Sequence, residues 1–165
     1  MMVIDLRNSV LKTSVSMAAK FLRRYRPESL LIIMYHRFRA DDDKGYVLKQ
    51  SDFRKQMAYI TRNFAVVALE DYLSLPPQSR KRLKNPAALT IDDGYRNFYR
   101  YAFPVLQQFS IPATIYVPVN FIEQGGWMWQ DRNKYILVNA GKKTFSLEWQ
   151  GVAHRFETGA FEALM

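Results

Sequence analysis

The sequence predicts an α/β fold built on a mostly parallel sheet, and three observations carry that expectation. Short apolar runs alternate along the chain with segments of helical spacing, the order that builds parallel sheets. Those runs are continuous rather than alternating with polar residues, as strands buried on both faces require. Clusters of Pro, Gly and Asp stand between them, where strands and helices must turn. The 165 residues fit one domain and fall short of the ~250 that a closed (β/α) barrel takes. A partial barrel or a doubly wound sheet follows.

The elements are expected in this order. Residues 1–27 form a segment apart from a domain at 28–165. Within that segment, residues 9–25 read as a basic amphipathic helix with Val10, Ser14, Met17 and Phe21 on one face. Residues 30–35 are a first strand that stops at His36, followed by a polar loop at 41–45. Ser51 is the expected N-cap of a helix with Phe53, Met57, Ile60 and Phe64 at helical spacing. A second strand at 65–68 leads to a short helix closed by Pro76 and Pro77, then to a basic loop. The third strand, 87–91, ends at Asp92-Asp93-Gly94. A helix at 95–109 should kink or restart at Pro104, since proline lacks the N–H the ladder needs. Residues 113–117 form a fourth strand. Beyond it, a helix is expected from Asp131 to Val138, a hairpin from 143–147 and 151–156, and a further helical pattern over 158–165.

Composition narrows the chemistry. Cysteine is absent, which excludes disulfides, a Cys-ligated zinc site and thiol catalysis. With only His36 and His154, an all-histidine metal cage from this chain is excluded too. The net charge is +9, and through Arg39 eight basic residues face two acidic ones. Arg80, Lys81, Arg82 and Lys84 form a second basic cluster. Such patches attract polyanions or are simply solvated. Contact of the basic N-terminal segment with an anionic surface is expected here, and nucleic acid is not. No run approaches the ~18 apolar residues of a membrane span. Asp5 and Lys12 interrupt what would be the apolar region of a signal peptide, so the default expectation is cytoplasmic or membrane-peripheral.

In parallel α/β sheets, sites lie outside the carboxyl ends of the strands. Two of the expected strands end in polar groups suited to chemistry, one in Tyr35-His36 and the other in Asp92-Asp93-Gly94. If the strands are neighbours, an imidazole and two carboxylates converge. Gly94 permits a sharp turn, so that Asp92 and Asp93 can take different tasks, one holding a divalent metal and one acting as a base. The same residues also suit plainer roles, since Asp-Gly is common turn and cap chemistry and a lone histidine is often structural. His154 receives no role. Trp127 and Trp129 suit core or lid packing by default, and sugar stacking as the alternative.

Taken together, the segments LIIMYHRF at 31–38, LTIDDGYRN at 89–97, FPVL at 103–106 and IPATIYV at 111–117 resemble the polysaccharide deacetylase family, the NodB-homology group of carbohydrate esterases. The resemblance runs over about 100 residues, from Leu30 to Asp131, and Trp127 to Arg132 is similar to the Trp-Trp-Asp-Arg segment of one branch. Ile91 stands where Phe is usual. The resemblance implies a distorted (β/α) barrel and metal-dependent hydrolysis of N-acetyl groups on amino-sugar polysaccharides, with zinc as the expected metal. It implies Asp92 as general base, Asp93 as metal ligand and His36 as general acid, with Tyr95, Trp127 and Trp129 contacting substrate. The family's downstream His-x-x-x-His element has no counterpart here, nor has its Arg-Pro motif. The chain is therefore expected to be the N-terminal portion of a longer deacetylase, with little or no activity alone. A non-catalytic glycan-binding remnant of the same fold is the alternative.

Overall fold

A computed structural model describes residues 2–5, 29–43, 47–139 and 144–157. The expected helix at 9–25 and the helical pattern at 158–165 lie outside the described residues. The chain divides into two compact units, Met1–Pro118 and Val119–Met165.

In the first unit the strands are β1 (Met2–Asp5), β2 (Leu31–Tyr35), β3 (Phe38–Arg39) and β4 (Leu48–Lys49), followed by helix α1 (Gln50–Asn63). Next come β5 (Ala65–Val66), α2 (Leu69–Ser74), α3 (Pro77–Arg82) and β6 (Pro86–Ile91). A π-helical turn (Phe98–Ala102), α4 (Phe103–Phe109) and β7 (Ala113–Ile115) complete it. The main sheet has the order β1-β2-β6-β5, with β7 also paired to β6, and every one of these pairings is parallel. The α/β class with a parallel sheet is thus as expected. Strand β1 was not foreseen, because its four residues look like the start of the basic segment rather than a core run.

Strand β6 is the centre of the sheet, and all six of its residues are buried. Pro86 sits at its first position, where a missing N–H is tolerated. The two-residue pleat divides the core. Leu31, Ile33 and Tyr35 of β2 and Ala87, Leu89 and Ile91 of β6 pack with Phe53, Met57 and Ile60 of α1 and Val105 and Leu106 of α4. Leu30, Ile32 and Ala88 face the other way, toward Tyr72 of α2.

Several local expectations are corrected. Lys49, not Ser51, is the N-cap of α1, and its side chain makes no capping bond. Instead Asp41 Oδ1 accepts from the Ser51 backbone N–H at 2.9 Å, so a loop carboxylate ten residues upstream caps the helix. The Ser51 hydroxyl and this backbone N–H hold the Asp41 carboxyl below the usual carboxylate range. The basic stretch expected as a loop is partly helical, because Pro77 at the first turn of α3 fixes a helical φ. Arg80 of that helix donates to the carbonyls of Leu75 and Leu73, satisfying the end of α2. The interruption expected at Pro104 falls just before it, as the π turn. There Phe103 N–H donates to Phe98 O, and Gln50 Nε2 donates at 2.8 Å to the Tyr101 carbonyl within the widened turn. Helix α4 ends at Ser110, with φ of 52°, and buried Ile111 donates to Leu106 O.

The second unit contains α5 (Val119–Gln124), α6 (Trp129–Asn139) and an antiparallel hairpin, β8 (Thr144–Trp149) with β9 (Val152–Glu157). The hairpin is where the sequence puts it. Helix α6 starts two residues earlier than expected, and α5 was missed because its six residues carry too little periodicity to read. No helix among the described residues is long and apolar enough to cross a membrane.

Candidate active site

The register of β2 against β6 runs from Leu31↔Ala87 to Tyr35↔Ile91. It therefore brings the two polar strand ends side by side at the carboxyl edge of the sheet. His36 stands between two buried aromatic anchors, Tyr35 and Phe38. Both rings pack on Phe53, with centroids 5.0 and 4.9 Å from it. Burial pushes the Tyr35 phenol strongly up, and its neutral hydroxyl donates to Gln56 Oε1 at 2.8 Å. The chain at His36 is thus clamped from both sides by core packing.

Past Phe38, the buried Arg39 acts as a staple. Its Nε donates to Val47 O at 2.8 Å and its Nη1 to Asp43 O, which closes the loop that follows the site.

The other half of the site follows β6. Asp92 N–H donates to Tyr35 O at 2.8 Å, and Tyr116 N–H donates to Ile91 O at 2.8 Å. These bonds carry the ladder past the strand ends on both sides. The chain then reverses through two consecutive left-handed residues, Asp93 with φ of 70° and Gly94 with φ of 63°. A left-handed conformation is costly for a residue with a Cβ, and aspartate is among the few that tolerate it. A Cβ on Gly94 would lie 2.9 Å from Val117 Cγ1, so glycine is needed there for space as well as for φ. The turn after Asp92 is thus made by Asp93 and Gly94 together.

The reversal brings Asp93 Oδ2 to 3.4 Å from His36 Nδ1, with the side chains 22% and 18% exposed. That separation is within ion-pair reach and longer than an ordinary hydrogen bond. Both side chains are partly exposed, while the Nε2 atom of His36 is buried. Arg37 covers Tyr95, its guanidinium carbon 3.8 Å from the ring centroid. One face of Tyr95, expected to meet substrate, is therefore occupied by Arg37. Sequence reading missed this contact. The available signal is that both residues lie just past the ends of paired strands.

Of the expected site residues, His36, Asp92, Asp93 and Tyr95 gather at this edge. Trp127 and Trp129 belong to the second unit, where both are exposed. His154, which had no assigned role, faces Leu147 across the hairpin.

A catalytic zinc ion takes three protein ligands. Among the described residues no group of three or more His, Cys, Asp or Glu is placed to hold a metal ion. Asp93 and His36 alone do not fit a resident zinc site. What the geometry does offer is a carboxylate pair and an imidazole at one sheet edge, an arrangement suited to proton transfer.

Residues 79–159 match the family described as polysaccharide deacetylase. The chain is similar to poly-beta-1,6-N-acetyl-D-glucosamine N-deacetylase of Escherichia coli, 30% identical over 90 residues, which is 54% of this chain and 12% of that protein. It is also similar to the putative polysaccharide deacetylase YxkH of Bacillus subtilis, 24% identical over 98 residues, covering 59% of this chain and 34% of that protein. Among solved structures, IcaB from Ammonifex degensii is 28% identical with a TM-score of 0.46, covering 61% of this chain and 42% of that one. The chain thus spans less than half the length of each of these proteins. The Asp92-Asp93-Gly94 turn lies inside the matched segment, and the two named deacetylases align to more than half of the chain, so over this stretch the chain is similar to the polysaccharide deacetylase family.

Proposed function

We propose that this chain carries the proton-transfer half of an N-deacetylase site that acts on N-acetylated amino-sugar glycans. The observation that supports it most is the 3.4 Å approach of His36 Nδ1 to Asp93 Oδ2, beside Asp92, at the carboxyl edge of β2 and β6. The names of the relatives point to the substrate class, since the Escherichia coli protein is a deacetylase of an N-acetyl-D-glucosamine polymer. We read the open parallel sheet as the first part of a distorted (β/α) barrel.

In this reading Asp92 takes a proton from water as the oxygen attacks the acetamide carbonyl carbon. Asp93, held by the left-handed turn, keeps the imidazole of His36 oriented. As the tetrahedral intermediate collapses, the C–N bond breaks and a protonated His36 delivers a proton to the departing nitrogen. The products are acetate and the free amine. Tyr95, pinned under Arg37, walls the same edge. Asp93 is also the carboxylate this edge would offer to a divalent cation, but the described residues do not complete a ligand set around it.

The test is acetate release from N-acetylglucosamine oligosaccharides by the purified chain, with and without added zinc. A low rate is expected, and Asp92→Asn should abolish it. Acetate that never rises above buffer, or that is indifferent to Asp92→Asn, overturns the reading.

A further inference from the structure

Helices α2 and α3 meet at a corner made by Leu75 and Pro76, and one side chain holds it shut. Arg80 lies over the ring of Tyr72, its guanidinium carbon 5.3 Å from the centroid. Its Nη2 donates to Leu73 O at 2.6 Å and its Nε to Leu75 O at 2.8 Å. Tyr72 is buried with Leu30, Ile32 and Ala88, so the corner is anchored to the sheet. Pro76 O accepts from the N–H groups of Ser79 and Arg80, and Tyr72 O from that of Leu75. Pro76 and Pro77 have no N–H to satisfy. These carbonyls are satisfied from within, so the corner loses little when water leaves it.

The outside of the corner is apolar. Leu73 is 60% exposed, more than any other Leu, Ile or Val described in the first unit, and Pro76 and Pro77 are exposed after it. Cations border this wedge. Lys81, Arg82 and Lys84 are exposed, and no acidic residue occurs from Tyr72 to Ile91. Glu70 and Asp71 stand in the first turn of α2, before the corner. Asn85 Nδ2 donates to Asn63 O at 3.3 Å, which brings the end of α1, with its exposed Arg62, against the same stretch. An exposed apolar wedge bordered by Lys and Arg suits the boundary of an anionic bilayer. Nucleic acid would ask for an exposed ring on which bases stack. The single aromatic residue from 69 to 85 is Tyr72, buried under Arg80.

We infer that the α2–α3 corner docks on anionic phospholipid, with Leu73 entering the headgroup boundary and Lys81, Arg82 and Lys84 on the lipid phosphates. Strand β6 starts just past this cluster at Pro86 and ends at Ile91. The docking surface and the edge with His36 and Asp93 therefore lie toward opposite ends of a strand roughly 20 Å long. A docked chain turns that edge away from the lipid. The inference does not rest on the deacetylase reading.

The test is flotation of the full chain with vesicles of phosphatidylglycerol and phosphatidylcholine in equal parts, beside vesicles of phosphatidylcholine alone. Binding to the anionic vesicles only is expected, and it should weaken as salt is raised. Each cation near such a surface contributes about fivefold in affinity, so Lys81→Gln, Arg82→Gln and Lys84→Gln together should lower it about a hundredfold. Leu73→Ser removes the wedge and should lower it about fivefold or more. Arg80 is left in place because it holds the corner shut, and melting temperatures should match the parent's. Equal binding to phosphatidylcholine alone, or binding to neither, overturns the proposal. So does a triple variant that binds as the parent does, or a loss that appears instead in Arg23→Gln, Arg24→Gln and Arg26→Gln together. If Leu73→Ser binds undiminished and a single-stranded oligonucleotide strips the chain from the vesicles, the patch is a general polyanion surface and the bilayer assignment falls.

Discussion

The guanidinium of Arg37 lies 3.8 Å above the ring of Tyr95, and this stack bridges the turn after β2 to the turn after β6. Arg37 is next to His36 and Tyr95 is next to Gly94, so the stack sits one residue from each half of the site. Such a contact at a partly solvated position is worth about 0.5–1 kcal/mol. We expect a double-mutant cycle of Arg37→Ala and Tyr95→Leu, read by urea denaturation, to return a coupling energy of that size. Arg37→Lys should keep only part of it, since the flat guanidinium covers the ring better than a compact ammonium does. A coupling of zero would mean the two turns are held independently.

Gly94 is the residue the turn can least exchange. Gly94→Ala places a Cβ in left-handed space, at a cost of about 1–2 kcal/mol, and against Val117 Cγ1 at 2.9 Å. Adding Val117→Ala relieves the contact and leaves the conformational part. The double variant should therefore recover some of the loss and not all of it. Thermal denaturation of the two variants beside the parent checks this.

The π turn depends on a side chain from another helix. Gln50 Nε2 satisfies the Tyr101 carbonyl at 2.8 Å. Removing it by Gln50→Ala should cost about 1 kcal/mol. Amide hydrogen exchange should rise locally over 98–103, ahead of the rest of α4. An unchanged exchange pattern there would show that the turn is held by its own backbone alone.

Asp41 caps α1 only as a carboxylate. Its folded pKa lies below the ordinary value of 3.8, chiefly through the Ser51 hydroxyl and then the Ser51 N–H. A group with a lowered folded pKa stabilises fully above its unfolded pKa, and that contribution disappears as pH falls through the folded value. Asp41→Ala should therefore be less stable than the parent near neutral pH. The two should converge below the usual carboxylate range. Denaturation midpoints measured across that interval give the comparison.

The parallel core was legible because burial on both faces leaves a plain trace. The runs at 31–35 and 86–91 are apolar without alternation, and a strand in the middle of a sheet can hardly be otherwise. The helix with Phe53, Met57 and Ile60 was legible from its spacing. The meeting of His36 with the aspartates was readable only as a condition, since it needed β2 and β6 to be neighbours. Register is a tertiary fact, and nothing in either strand names its partner. The features that escaped are those in which a distant residue supplies the missing group. Asp41 caps a helix that starts nine residues later, Gln50 serves a turn 51 residues away, and Arg80 closes α2 from the next helix. Trp127 was visible as an aromatic residue, but its pairing with Tyr135 depends on two glycines bending the chain back onto α6.

The most direct measurement is the rate of acetate release from an N-acetylglucosamine oligosaccharide in four proteins: the parent, Asp92→Asn, His36→Gln and the double variant. Groups that act as one proton-transfer unit give strongly non-additive losses. We expect either single substitution to bring the rate to background and the double variant to be no worse. A parent-like rate in Asp92→Asn or in His36→Gln, or losses that simply multiply, would contradict a shared site at the edge of β2 and β6.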